Sequence, residues 1–297
     1  MICYQNSAML YLPKDTAVSV GKFNGLHLGH QALLSRLKEE AGAALDTLVL
    51  RIDQASSEER TQLMTEEETR NFLMAQRIGY DLRMPLSGAF RDMTREEFAL
   101  HFLPETLKGK LVTAGRDFRF GKNAEGDAEF LKYAGEKAGY RVILLPDSYD
   151  GEDKISSTLI RNLLSEGCIE RANRCLGYAY PISGTVIHGR ALAGKLGFPT
   201  INIIPQKQKV LPKFGVYQTT VMLWGRAFTG LANIGIKPTV TEEHSPLLEV
   251  HIPGFSGNLY GQYTEVRFER FIRPEMRFQG VEELKLQMEA DLRNFCS

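Results

Sequence analysis

His27 and His30 stand three residues apart behind a turn bracketed by Gly21 and Gly25, in the stretch GKFNGLHLGH. A helix-like apolar pattern begins there and continues through Leu33, Leu34 and Leu37, so both imidazoles share one face of its first turn. The first N–H groups of a helix have no intrahelical partners, and that end carries partial positive charge. Glycines let a phosphate approach the backbone, and imidazoles add hydrogen bonds or positive charge. The chemistry this pattern fits is binding of a nucleoside triphosphate that is attacked at its α-phosphate. Zinc fits less well, because no Cys or carboxylate cluster lies nearby at metal-ligand spacing.

Three further clusters carry polar groups in usable positions. In ISSTLIRNLL, Ser156, Ser157 and Thr158 are N-cap types at a helix start, and Arg161 lies one turn in. Their hydroxyls, N–H groups and guanidinium suit phosphate oxygens. Asp117, in the glycine-bounded loop GRDFRFGKNAEG, is either a ligand contact or a turn residue. In KLGFPTIN, Gly197 permits close backbone approach, Pro199 stiffens the chain, and Thr200 and Asn202 face the same way on an extended segment. Their oxygens suit Mg²⁺ and nucleotide phosphates. Glu249 is an acid in an otherwise apolar strand, which calls for a reason.

The elements that position these residues change character along the chain. Strand-like runs at Thr16–Val20, Leu45–Ile52, Leu82–Leu86, Lys110–Ala114 and Tyr140–Leu145 alternate with helical patterns at His27–Ala41, Thr65–Gln76, Thr94–Leu103 and Ala128–Ala138. Thr65 with Glu68, and Thr94 with Glu97, read as capping boxes. This alternation predicts a Rossmann-like α/β domain with a parallel sheet, whose ligands bind at the carboxyl ends of its strands. Two short helices, Thr158–Glu166 and Glu170–Leu176, come next. Short strands then follow at Ile182–His188, Val216–Leu223, Ala227–Ile234, Leu247–Ile252 and Tyr263–Phe271, predicting a small antiparallel β-barrel. An amphipathic helix, Val281–Phe295, closes the chain. The expected boundary lies at about 178–183, dividing residues 1–180 from 181–297, and a fragment from about 183 is expected to form a complete barrel.

Lys plus Arg and Asp plus Glu balance at 36 each in 297 residues, which gives no support to bulk binding of nucleic acid or membrane. No run is long and apolar enough for a membrane span, and the first residues lack a signal-peptide pattern. The four cysteines form no CxxC pair, so a reduced, cytoplasmic enzyme is expected.

The HLGH stretch resembles the HxGH signature of nucleotidyltransferases. The order GKFNGLHLGH, GRDFRFGKNAEG, ISSTLIR is similar to the adenylyltransferase domain of bacterial bifunctional riboflavin kinase/FAD synthetases. KLGFPTIN, FGVYQTTV, LANIGIKPTV and the segment from Leu247 to Phe278 are similar to the kinase barrel of the same family. The resemblance covers nearly the whole chain. It implies riboflavin phosphorylation to FMN with MgATP, then adenylylation of FMN to FAD with a second ATP. Glu249 would be the base for the riboflavin 5′-hydroxyl, and Thr200 and Asn202 would hold Mg²⁺. His27, His30 and Arg161 would act at the other centre, with Gly21, Phe23, Asn24, Gly25, Asp53, Asp117, Ser156, Ser157 and Thr158 around the nucleotide. Gly189, Lys195, Gly197 and Pro199 would surround the kinase nucleotide. The partners implied are small molecules only.

Three positions depart from the family pattern. Asn24 replaces an aspartate. The strand-end acid stays as Asp53, but Gln54, Ala55 and Ser56 replace Pro-His-Pro. The kinase loop reads HGRALAGK, with alanines in place of glycines. The expected consequence is weak FAD synthesis beside FMN formation. A kinase with a degraded first domain and a flavin-binding regulator without turnover are the rival readings.

Overall fold

The structure, a computed structural model, describes residues 1–53, 61–188, 198–236 and 245–295. The chain divides into two compact units, Met1–Arg60 with Glu66–Ser156, and Thr61–Thr65 with Ser157–Ser297. Among the described residues, no helix is long and apolar enough to cross a membrane.

The first unit is built on strands β1 (Ile2–Tyr4), β2 (Thr16–Gly21), β3 (Asp46–Asp53), β4 (Tyr80–Pro85), β5 (Gly109–Gly115) and β6 (Arg141–Leu145). They form one sheet in the order β1-β4-β3-β2-β5-β6, with every pairing parallel. Strands covered on both faces read as apolar runs, and Val18, Val20, Leu48, Leu50, Leu82 and Val112 are all buried. Helices α1 (Leu28–Ala41), α2 (Glu66–Ala75), α3 (Gly88–Asp92) and α4 (Ala128–Ala138) lie between strands, α1 packing on β2, β3 and β5. The chain order runs outward from β2 to β3 and β4, then returns to the other side of β2 as β5. The crevice at such a reversal is where open α/β sheets bind ligands. The GKFNG turn leaves β2 there, and GRDFRFG leaves β5.

One helix differs from its sequence pattern. The capping box at Thr94 forms, with Thr94 N–H donating to Glu97 Oε2 at 2.7 Å and Glu97 N–H to Thr94 Oγ1 at 3.1 Å. The turns that follow, Glu97–Thr106, are wound as a π-helix that contains Pro104. Leu107 N–H accordingly reaches back five residues to Phe102 O at 3.0 Å.

A small hairpin, β7 (Tyr149–Asp150) and β8 (Asp153–Lys154), ends the first unit. In the second, α5 (Ser157–Glu166) and α6 (Ile169–Leu176) precede the strands β9 (Tyr180–Ile187), β10 (Thr200–Ile203), β11 (Gly215–Leu223), β12 (Arg226–Ile236), β13 (Pro246–His251) and β14 (Tyr263–Pro274). These close into a barrel in the order β10-β13-β12-β11-β14-β9, all antiparallel. Helix α6 packs on β14 and β9, so packing joins α5 and α6 to the barrel although the sequence pattern changes only near residue 180. Asn173 ties the two, donating from Nδ2 to Phe268 O at 2.7 Å and accepting from Tyr180 N–H at 2.9 Å. The last helix, α7 (Val281–Phe295), sets Leu292 against Val216, Leu231 and Ile272. It is fixed by Arg273, whose guanidinium grips the buried Asp291 with Nη2–Oδ2 at 2.8 Å.

Candidate functional site

Backbone geometry shapes the turn after β2. Phe23 and Leu26 hold positive φ values of 49° and 42°, rare for residues with side chains, and Gly25 sits at 85°. This winding folds the buried Phe23 ring back, so that a Cβ on Gly21 would stand 3.2 Å from it. Asn24 is half-buried between them. His27 then precedes α1, whose first turn holds no acid to offset the positive helix end.

His27 and His30 are brought together. Their rings stack at 3.8 Å between centroids, and the Phe23 ring lies 5.1 Å from His30. Gly29 packs closely, since a Cβ there would lie 3.3 Å from the His27 ring. His30 is half-buried as a residue, yet the Nδ1 atoms of both histidines are shut off from solvent with no hydrogen-bond partner. Burial pushes the His27 imidazole down to about 4. Burial, and then the neighbouring His27, hold His30 well below the ordinary histidine range. Both rings are therefore neutral at pH 7, which leaves them hydrogen-bonding groups rather than charges.

Other expected residues have partners already. Asp117 accepts from Lys154 Nζ at 2.6 Å, and Asp147 holds the same ammonium at 2.8 Å. Lys154 thereby ties the hairpin at the end of the first unit to the loop after β5. Asp53 is engaged by Arg83 of the adjoining strand, Nε to Oδ2 at 3.0 Å. Beside them Arg51 is clasped by Asp81 and Glu66, with Nε–Oδ1 at 2.7 Å and Nη2–Oε2 at 2.9 Å. Ser157 and Thr158 form the first turn of α5, and Ser156 immediately precedes it. Arg161 donates to the carbonyls of Thr61 and Ser157 at 3.1 and 3.4 Å. Gln54, Ala55 and Ser56 of the departed motif lie outside the described residues.

In the barrel, strand register does the positioning. Asn202 of β10 is the direct partner of Glu249 of β13, and Thr200 is the direct partner of His251. Thr200, Asn202, Glu249 and His251 thus share one face of the sheet. The alternate residues Ile203, Leu248 and Val250 are fully buried on the other face. His251 adds a hydrogen bond beside this row. Its Nδ1 donates to Pro199 O at 2.9 Å and holds the start of β10 in place. The signal for it is the same alternation that exposes Glu249. Gly189, Lys195 and Gly197 lie outside the described residues.

The donors present fit Mg²⁺. Asn202 is buried, and its Oδ1 has no hydrogen-bond partner. The Thr200 hydroxyl and the Glu249 carboxylate are its neighbours on the same face, so all three offer the hard oxygen that Mg²⁺ prefers.

The FAD synthetase family profile matches residues 11–159, and the riboflavin kinase profile matches residues 176–296. A Listeria monocytogenes protein named bifunctional riboflavin kinase/FMN adenylyltransferase is 35% identical, covering 93% of this chain and 90% of its own. The Escherichia coli K12 protein of the same name is 34% identical, over 94% of this chain and 91% of its own. A crystal structure from Streptococcus pneumoniae, described as a macrolide-efflux protein, superposes with a TM-score of 0.89 at 26% identity, covering 100% of this chain and 98% of that one. Two catalytic modules in this order, at this identity and over this length, place the chain in the bifunctional riboflavin kinase/FMN adenylyltransferase family.

Proposed function

We propose that this chain phosphorylates riboflavin to FMN with MgATP and adenylylates FMN to FAD with a second ATP, in the cytoplasm. The functional division is residues 1–180 for adenylylation and 181–297 for phosphorylation. The observation that carries the kinase reading is the Asn202–Glu249 register on the barrel, with a buried amide oxygen lacking any partner beside a carboxylate. Glu249 accepts the proton of the riboflavin 5′-hydroxyl as that oxygen attacks the γ-phosphorus. Thr200 and Asn202 hold Mg²⁺, which when bound neutralises phosphate charge. The resemblance to the kinase motif assigns Pro199, Gly189, Lys195 and Gly197 to nucleotide binding.

At the other centre, the Gly21–Gly25 turn and the open end of α1 receive phosphate, with His27 and His30 as neutral donors. The family motif order assigns Ser156, Ser157, Thr158 and Arg161 to the same triphosphate. Fixed donors aimed at developing charge are the main lever in such a transfer. Phe23, Asn24, Asp53 and Asp117 serve the nucleotide or its surroundings, Asp53 and Asp117 through their arginine and lysine partners. The test is incubation of the chain with riboflavin and MgATP, with products separated by chromatography. FMN followed by FAD is expected. Flavin bound without any product overturns the reading in favour of a non-catalytic binder.

A further inference from the structure

The barrel register places one more polar side chain beside Glu249. On β12, Ala232 and Ile234 are fully buried, while Asn233 between them is half-buried. It therefore projects to the face that carries Glu249. Asn233 is the direct partner of Glu249 on one side, as Asn202 is on the other. Side chains directly opposite on antiparallel strands have Cβ atoms about 4.5–5.5 Å apart. The carboxylate thus stands between two amides, one assigned to the metal and one with no role assigned. The same row continues through Val216, which is packed under α7, to Arg273. A partly covered carboxylate is stabilised by hydrogen-bond donors that meet it.

We propose that Asn233 is a positioning residue for phosphoryl transfer. In the loaded site its side-chain N–H donates to the Glu249 carboxylate and fixes which oxygen faces the riboflavin 5′-hydroxyl. This rests on Glu249 being the base. The neutral donor also explains the residue type, because an acid directly opposite Glu249 would repel it.

The experiment measures steady-state FMN formation by the full-length chain carrying Asn233→Leu, Asn233→Asp, Glu249→Gln, or Glu249→Gln with Asn233→Leu. The urea-unfolding transition of each variant, followed by circular dichroism, reports whether its barrel is folded. Asn233→Leu should lower kcat about 10- to 100-fold, the size of one hydrogen bond to a charged group, with KM for riboflavin and ATP little changed. Asn233→Asp keeps the shape and replaces the donor with like charge, so it should lose at least as much. It also stands in if the leucine variant misfolds. In the Glu249→Gln background, Asn233→Leu should cost little more, because residues acting as a unit are not additive. Normal turnover by both Asn233 variants, a loss confined to KM, or full additivity overturns the inference while leaving Glu249 as base. Normal turnover by Glu249→Gln overturns both.

Discussion

Cutting the chain at residue 183 rather than at residue 157 tests what the second unit needs in order to fold. The shorter fragment, 183–297, keeps most of every barrel strand but loses α5, α6 and the first residues of β9. Ile169, Leu176, Tyr180 and Ile182 are each 0% exposed, and all four go with the cut. A large apolar side chain contributes about 1.5–3 kcal/mol when fully buried, so four amount to roughly 6–12 kcal/mol. A whole domain has only about 5–15 kcal/mol of net stability. The cut also removes both Asn173 bonds and the Leu164 carbonyl, which accepts from Lys213 N–H at 2.8 Å.

Fragment 157–297 keeps all of these. It lacks only Thr61–Thr65, where the buried Lys209 donates from Nζ to Leu63 O at 2.8 Å and Val210 N–H donates to Gln62 O at 2.9 Å. It should therefore fold and phosphorylate riboflavin with stability lowered by about 1–3 kcal/mol, whereas 183–297 should be unfolded. Urea unfolding followed by circular dichroism, with FMN formation as the activity assay, distinguishes the two. A cooperative transition of equal midpoint and equal kinase activity in 183–297 would refute the argument.

Four further outcomes are expected. Glu249→Gln should reduce FMN formation by about 10²-fold, the range of general-base loss, with riboflavin binding by fluorescence titration retained. Gly29→Ala puts a methyl 3.3 Å from the His27 ring, and should depress FAD synthesis while sparing FMN synthesis; equal FAD rates would show that the ring yields freely. Because the folded His27 titrates at about 4, below its unfolded 6.5, its contribution is present above pH 6.5 and disappears as pH falls to 4. That is roughly 3 kcal/mol of stability, and His27→Asn should flatten this part of a thermal-unfolding pH series. Asn24→Asp should raise the rate of FAD formation and leave FMN formation untouched, with FMN the main product of the unmodified chain; an unchanged FAD rate would place any weakness elsewhere.

Local signals made much of the architecture legible. The span Val281–Phe295 follows from its apolar face, the Thr94–Glu97 cap from its spacing, and the parallel sheet from strand–helix alternation. What escaped depends on partners distant in sequence. Strand β1 has only three residues and exists because Ile2 pairs with Tyr80. The π winding of Glu97–Thr106 leaves apolar periodicity too similar to an α-helix to be read. Asp53 looks available in the sequence, yet Arg83, thirty residues on, takes its carboxylate. In the barrel, alternation marks Glu249 as pointing away from the core, but only register shows that Asn202 and Asn233 flank it.

The stacked histidines limit how charge can be supplied to the proposed phosphate site. Two unit charges about 4 Å apart repel by about 4 kcal/mol at the effective dielectric near a protein surface. With ring centroids at 3.8 Å, a proton on one ring disfavours a proton on the other, and burial disfavours the charged form of each. On the proposed reading the pair is then a source of directed hydrogen bonds to the triphosphate, unlike a pair of lysines. On that reading, the remaining negative charge at the α-phosphate falls to the open N-terminal end of α1, whose first turn carries no acid.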